Sequence, residues 1–138
     1  MKQLFLDSAY LIALAGKDDR HHQEALQIAE QVEAEDAQLV TTRAIFLELG
    51  STLAKPRYRA AACQMFDLLE NDGRVEMLEI ESRLLAEAAK LFCQRTDKER
   101  SLADCISFLV MKERGISEAL TADIHFEQAG FRALLREN

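Results

Sequence analysis

The sequence is short of the residues that build linkers. Proline occurs once, at Pro56, and glycine five times in 138 residues. Little of the chain is therefore left for linker or low-complexity sequence, and no internal repeat is present. Cysteine is also scarce. Cys63, Cys93 and Cys105 are odd in number and widely spaced, which argues against a disulfide framework and a zinc site and fits a reducing cytoplasm. No apolar run is long enough to span a bilayer, and Asp7 interrupts the N-terminal apolar stretch too early for a secretory signal. Positive charge is in the minority, with 17 Lys and Arg against 24 Asp and Glu and a net charge of −7. That balance argues against nucleic-acid binding through a general basic surface. It leaves open an enzyme whose metal ions supply the local positive charge.

What is present suits one domain over residues 1–138. Apolar content is 49%, ordinary for a globular protein, and the length allows a sizeable core. Leu4–Leu6 is a short apolar run ending at Asp7 and reads as a buried strand. A helix is expected over Ser8–Ala15 and a polar one over His22–Ala34. A second strand follows at Gln38–Thr41, then an apolar helix over Ala44–Ala54 that Pro56 ends. Arg57–Glu70 predicts a helix closed by Asn71, Asp72 and Gly73. Val75–Leu78 is a third strand. Two helices follow, over Glu81–Gln94 and Ser101–Arg114, the second stopped by Gly115. Glu118–Thr121 is a fourth strand, Ile124–Ala129 a short helix, and Phe131–Leu135 a weak fifth strand. Strands alternating with helices predict an α/β domain of three layers: a parallel sheet of about four to five strands flanked by helices. Ligands of such sheets bind beyond the carboxyl ends of the strands.

Four acids stand alone in uncharged surroundings. Asp7 is the sole charge between Leu4 and Gly16, Glu48 between Ala44 and Ala54, Asp104 between Ser101 and Met111, and Asp123 between Ala119 and Phe126, His125 aside. An isolated carboxylate in an apolar setting is costly unless something compensates it. The expected elements bring all four to one rim of the sheet. Three have a structural explanation: Asp7 and Asp123 as helix N-caps, and Ser101 with Asp104 as a capping box. Glu48 has none, since it lies too deep in its helix to cap it and that helix offers no basic partner. Four clustered acids repel one another and raise each other's pKa. A divalent cation resolves that conflict. Mg²⁺ takes oxygen ligands, and such an ion activates water and neutralises phosphate.

The segments Leu4-Phe5-Leu6-Asp7-Ser8, Phe46-Leu47-Glu48-Leu49, Ser101-Leu102-Ala103-Asp104-Cys105 and Leu120-Thr121-Ala122-Asp123-Ile124-His125-Phe126 together resemble the PIN domain. The resemblance spans nearly the whole chain and is nearest to the small single-domain VapC toxins. It implies a ribonuclease that uses Mg²⁺ or Mn²⁺ and leaves a 5′-phosphate and a 3′-hydroxyl. Asp7, Glu48, Asp104 and Asp123 would be the catalytic metal ligands, with Ser8 and Thr121 orienting the acids or waters. It also implies an RNA substrate, a VapB-type antitoxin that blocks the site, a homodimer and a cytoplasmic location.

The remaining candidates weigh less. Lys55, Arg57, Tyr58 and Arg59 form the one compact basic patch, suited either to RNA phosphate with Tyr58 stacking on a base or to a solvated turn. Arg43 lies near the expected rim and within reach of phosphate. Arg95 to Arg100 also holds Asp97 and Glu99 and reads as a solvated loop. His21 and His22 are adjacent and do not share a helix face. His125 lies close to Asp123 and within reach of the site, but reads first as structural, and Cys105 as a small core residue. Two other functions compete. A phosphoacceptor signalling domain would need paired acids after strand one, an acceptor Asp after strand three and a Lys after strand five. The chain offers a single Asp7, Glu79 and Glu81, and Arg136. A PIN fold without catalysis would act as a binding module only.

Overall fold

A computed structural model describes residues 2–136. Five strands form one sheet: β1 (Gln3–Leu6), β2 (Gln38–Thr42), β3 (Val75–Leu78), β4 (Glu118–Leu120) and β5 (Arg132–Ala133). Their spatial order is β3-β2-β1-β4-β5, and every pairing is parallel. Seven α-helices flank the sheet among the described residues: α1 (Ser8–Ala15), α2 (His22–Glu35), α3 (Arg43–Thr52), α4 (Arg59–Asn71), α5 (Ser82–Gln94), α6 (Leu102–Arg114) and α7 (Ile124–Gln128). This is the expected α/β architecture. The chain runs outward from β1 through β2 to β3, then returns to the other side of β1 for β4 and β5. The order reverses between β1 and β4, and a crevice opens beyond the carboxyl ends of strands at such a point. The same order sets the molecule apart from the phosphoacceptor domains, whose sheets follow 2-1-3-4-5.

Three aromatic residues lock together the elements that border this point. Phe5 on β1 lies 6.2 Å from Phe126 on α7, and Phe108 on α6 meets Phe126 edge-on at 5.0 Å. All three are buried, and burying such a side chain stabilises the fold by roughly 1.5–3 kcal/mol. Each sits within about a turn of a lone acid: Asp7, Asp104 or Asp123. The fourth acid rides on α3, which buries Ile45 and Leu49 and leaves Glu48 half-buried.

Several boundaries differ from the sequence reading. Helix α3 stops at Thr52, with Leu53 capping it, rather than running to Ala54. Pro56 does not end that helix but opens a 3₁₀ turn over Pro56–Tyr58, where a missing N–H costs nothing. The helix expected from Arg57 therefore begins at Arg59. The fifth strand shrinks to Arg132–Ala133, because Leu134–Arg136 turns into a 3₁₀ helix. Gly115 closes α6 at φ 67°, a left-handed conformation that glycine adopts without strain.

Candidate metal centre

The structure brings Asp7, Glu48, Asp104 and Asp123 to the wall of one cleft of about 530 Å³ at the β1/β4 switch. Asp7 follows the last residue of β1, and its backbone N–H donates to the Leu120 carbonyl at 3.3 Å, tying the ends of the two strands together. It occupies the N-cap position of α1 yet its carboxylate accepts no capping hydrogen bond. The carboxylate instead accepts from the buried Thr121 hydroxyl at 2.6 Å through Oδ2. The same hydroxyl accepts the Asp123 N–H at 3.0 Å. One threonine thus fixes two of the acids. Ser8, also buried, donates its hydroxyl to Oε1 of Glu48.

The other two acids do cap helices. Ser101 and Asp104 form a reciprocal capping box at the start of α6, with hydrogen bonds of 3.0 and 3.1 Å. Asp123 Oδ1 accepts the His125 N–H at 2.9 Å at the start of α7. Capping and lining the cleft are compatible, because capping engages one oxygen of each carboxylate. The pattern is common to all four: one oxygen is tethered, and the other meets no hydrogen-bond donor among the described residues. The result is a set of oriented carboxylates, each with a free oxygen.

The electrostatics follow from burial and like charge. Burial pushes the Asp7 carboxyl up to about 7, with further upward contributions from Glu48, Asp104 and Asp123 against the Thr121 hydrogen bond. Burial also raises Glu48, helped by the charges of Asp104 and Asp123 and opposed by Ser8. Asp104 is raised by burial and by Asp123, while its bonds to Ser101 and the neighbouring His125 pull the other way. No Lys or Arg forms an ion pair with any of the four among the described residues.

Two features of the cleft were ranked too low in the sequence reading. His125, read as structural, places Nδ1 2.9 Å from Asp123 Oδ1 and 3.5 Å from Asp104 Oδ2. The angles are not those of a hydrogen bond, and Nδ1 has no hydrogen-bond partner. The contact is therefore one of proximity. Asp104, Asp123 and His125 are the group whose ligand atoms all lie within 4.8 Å of one another among the described residues; Asp7 and Glu48 face the same cleft outside it. A histidine two residues after Asp123, in the first turn of the same helix, was the available signal. Glu99 and Arg100 also line the cleft, although their loop reads as solvated. Their signal was position, just before the Ser101 cap of the helix that carries Asp104.

The basic candidates lie elsewhere. Arg43 pairs with Glu70 and Glu79 and lies over the Phe46 ring, so its charge is already neutralised. Lys55, Arg57, Tyr58 and Arg59 are exposed and line no part of the acidic cleft. Arg57 stacks on Tyr58 at 4.7 Å, and both border a separate cavity of about 590 Å³ with Ile12, Leu53 and Met65. Arg59 donates to the Ala54 carbonyl at 2.7 Å. Cys105 is buried, as expected. No helix among the described residues is long and apolar enough to cross a membrane.

Comparison with known proteins agrees with this architecture. A family model described as the PIN domain matches residues 4–132. Among solved structures, VapC20 of Mycobacterium tuberculosis, described as a sarcin–ricin loop cleaving toxin, aligns with a TM-score of 0.81 at 23% identity, covering 93% of this chain and 95% of that one. VapBC2 from Rickettsia felis, bound to a DNA fragment from its promoter, aligns at 0.68 and 10% identity over 95% and 96% of the two chains. FitAcB from Neisseria gonorrhoeae aligns at 0.63 and 18% identity over 94% and 95%. At these identities the likeness to solved structures shows the fold. No curated protein sequence matches the chain.

Proposed function

The chain belongs to the PIN-domain family, and from that premise we propose that it is a Mg²⁺- or Mn²⁺-dependent endoribonuclease, the toxin of a toxin–antitoxin pair. The observation that carries the proposal is the convergence of four carboxylates, none paired with Lys or Arg among the described residues, on the cleft at the sheet's switch point. The donor set fits a hard divalent cation, since every carboxylate presents a free oxygen and oxygen ligands suit Mg²⁺ and Mn²⁺. Asp7, Glu48, Asp104 and Asp123 are the residues assigned to hold it. When bound, such an ion supplies an activated water and charge neutralisation for an in-line phosphoryl displacement.

The protein's own contribution is positioning. Thr121 holds Asp7 and the backbone of Asp123, Ser8 holds Glu48, and the capping box holds Asp104. Fixing ligand orientation in this way is worth about 10–100-fold in metal affinity or activity where it has been measured. The toxin assignment draws on VapC20, which is described as a toxin and shares the fold. A VapB-type antitoxin, a paired toxin and a cytoplasmic location belong to the same proposal, as does the reading of residues 1–138 as one nuclease domain.

The test is cleavage of total RNA with Mg²⁺ or Mn²⁺ and with EDTA, mapped at the new ends. Metal-dependent cuts bearing 5′-phosphates are expected. Asp7→Asn should lower the rate by at least roughly 10³-fold, the scale of losing a central transition-state group, with the fold intact by circular dichroism. Full Mg²⁺-dependent activity in that variant overturns the assignment. A folded wild-type protein that binds RNA and never cuts it supports the binding-module alternative.

A further inference from the structure

Among the described residues, the cleft wall carries five carboxylates, Asp7, Glu48, Glu99, Asp104 and Asp123, and a single arginine, Arg100. Six arginines elsewhere, Arg43, Arg74, Arg83, Arg95, Arg114 and Arg136, each form an ion pair with a nearby Glu or Asp, whereas Arg57 and Arg59 stand on the exposed surface away from the acids of the cleft. Arg100 forms none among the described residues, although it shares a cleft with five acids. Its guanidinium lies over the Phe108 ring, 5.2 Å from the centroid. Its Nε is buried without a hydrogen-bond partner.

The stacking explains the isolation. Phe108 is buried and braced by Phe126 at 5.0 Å and Phe131 at 5.8 Å, so it is a fixed platform. A guanidinium held on such a platform keeps its charge and its edge donors but loses the freedom to swing toward the carboxylates. A buried donor left unpaired is unfavourable. Here it belongs to the one Arg or Lys that, among the described residues, lines a cleft proposed to take a polyanion. Arginine presents a planar fork that matches two phosphate oxygens at once.

We propose that Arg100 holds an RNA backbone phosphate next to the scissile one, outside the acid cluster, and so sets the substrate's register in the cleft. The inference rests on the ribonuclease reading above. It makes Arg100 a substrate-binding residue with no part in holding the metal. The acids repel any phosphate they do not share with a cation, so a fixed guanidinium at the edge of the cleft gives the neighbouring phosphate a place.

The test compares Arg100→Met, which keeps the stem on Phe108 and removes the charge, with Arg100→Lys, which keeps the charge and removes the fork. Both are made in the Asp7→Asn background, where RNA stays intact. Binding of a fluorescein-labelled single-stranded RNA of mixed sequence is measured in Mg²⁺ over a range of salt. Arg100→Met should weaken binding at least about tenfold, the scale of one hydrogen bond to a charged group, and lower the slope of log Kd against log salt by about 0.7. Arg100→Lys should restore the slope and part of the affinity. With Asp7 intact, Arg100→Met should raise KM about tenfold and change kcat by less than about twofold. Unchanged affinity and slope overturn the inference, as does a loss that Lys fails to restore, which marks a packing role. The two readings fail differently. Intact protein that neither binds nor cuts RNA overturns the ribonuclease reading, whereas intact protein that cuts RNA equally well as Arg100→Met overturns the Arg100 assignment alone.

Discussion

Two groups of carboxylates in this protein have opposite electrostatics. On the outer surface Glu70, Asp72, Glu76 and Asp97 sit against Arg43, Arg74, Arg114 and Arg95, and hydrogen bonds to those arginines hold their carboxyls below the usual range. In the cleft, Asp7, Glu48 and Asp104 are pushed above it by burial and by one another. The chain has the means to neutralise acids and uses them on its outer surface but not at the β1/β4 switch. Surface pairs of this kind contribute little stability, about 0–1 kcal/mol each. The unneutralised cluster works against stability, and the fold tolerates it because the aromatic packing of Phe5, Phe108 and Phe126 holds the surrounding elements in place. The contrast supports the proposal that the cleft takes a divalent cation.

The comparison can be broken most strongly through Asp7. Its carboxyl, raised from 3.8 to about 7, keeps a proton in the native state that the unfolded chain has already lost. The native state binds more protons across that window, so stability falls as pH rises from about 4 to about 7 and levels off above it. For Asp7 alone the cost at high pH is on the order of 4 kcal/mol, and Glu48 and Asp104 add in the same direction. Denaturant melts of metal-free protein at pH 5 and pH 8 should show this fall, and Asp7→Asn should flatten it. Equal or greater stability at pH 8 in the wild type contradicts the frustrated cluster.

A smaller effect is expected at Thr121. Thr121→Val keeps the shape but removes the hydroxyl that donates to Asp7 and accepts from Asp123. Cleavage should fall about 10–100-fold, the cost of losing a group that orients a metal ligand, and metal affinity should fall with it. A Thr121→Val protein that cleaves at the wild-type rate shows that the hydroxyl does not position the acids. The smallest effect belongs to the surface population. Arg114→Ala breaks the pair with Glu76 and should change stability by less than about 1 kcal/mol, with RNA cleavage unaltered. A larger loss by thermal melting ends the distinction between the two populations.

Much of this arrangement was legible in the sequence. A lone acid in an uncharged run is visible without any structure, and strands alternating with helices place four such acids on one rim. The question of cap against cleft resolved unevenly: Asp104 and Asp123 do both, while Asp7 stands at a cap position without capping. Glu48, which had no structural explanation, is held by Ser8, a buried neighbour of Asp7. What stayed hidden lies where local composition says nothing about direction. Glu99 and Arg100 belong to a loop of mixed charge, and nothing in that pattern shows which side chain turns inward onto Phe108. His125 depended on the turn at the start of α7, which sets Nδ1 against two carboxylates. Arg43 illustrates the converse, since its partners Glu70 and Glu79 come from distant elements and no local reading joins them to it.

The most direct test of the central claim is calorimetric titration of Mn²⁺ into metal-free protein at pH 7, in two buffers of different ionisation enthalpy. The Asp7 carboxyl is partly protonated at that pH, and a cation that takes its oxygen displaces the proton. The account predicts saturable Mn²⁺ binding with proton release in the wild type, weaker binding in Asp7→Asn, and no release from that site. Absence of binding at millimolar Mn²⁺, or identical binding and proton release in the two proteins, would contradict it.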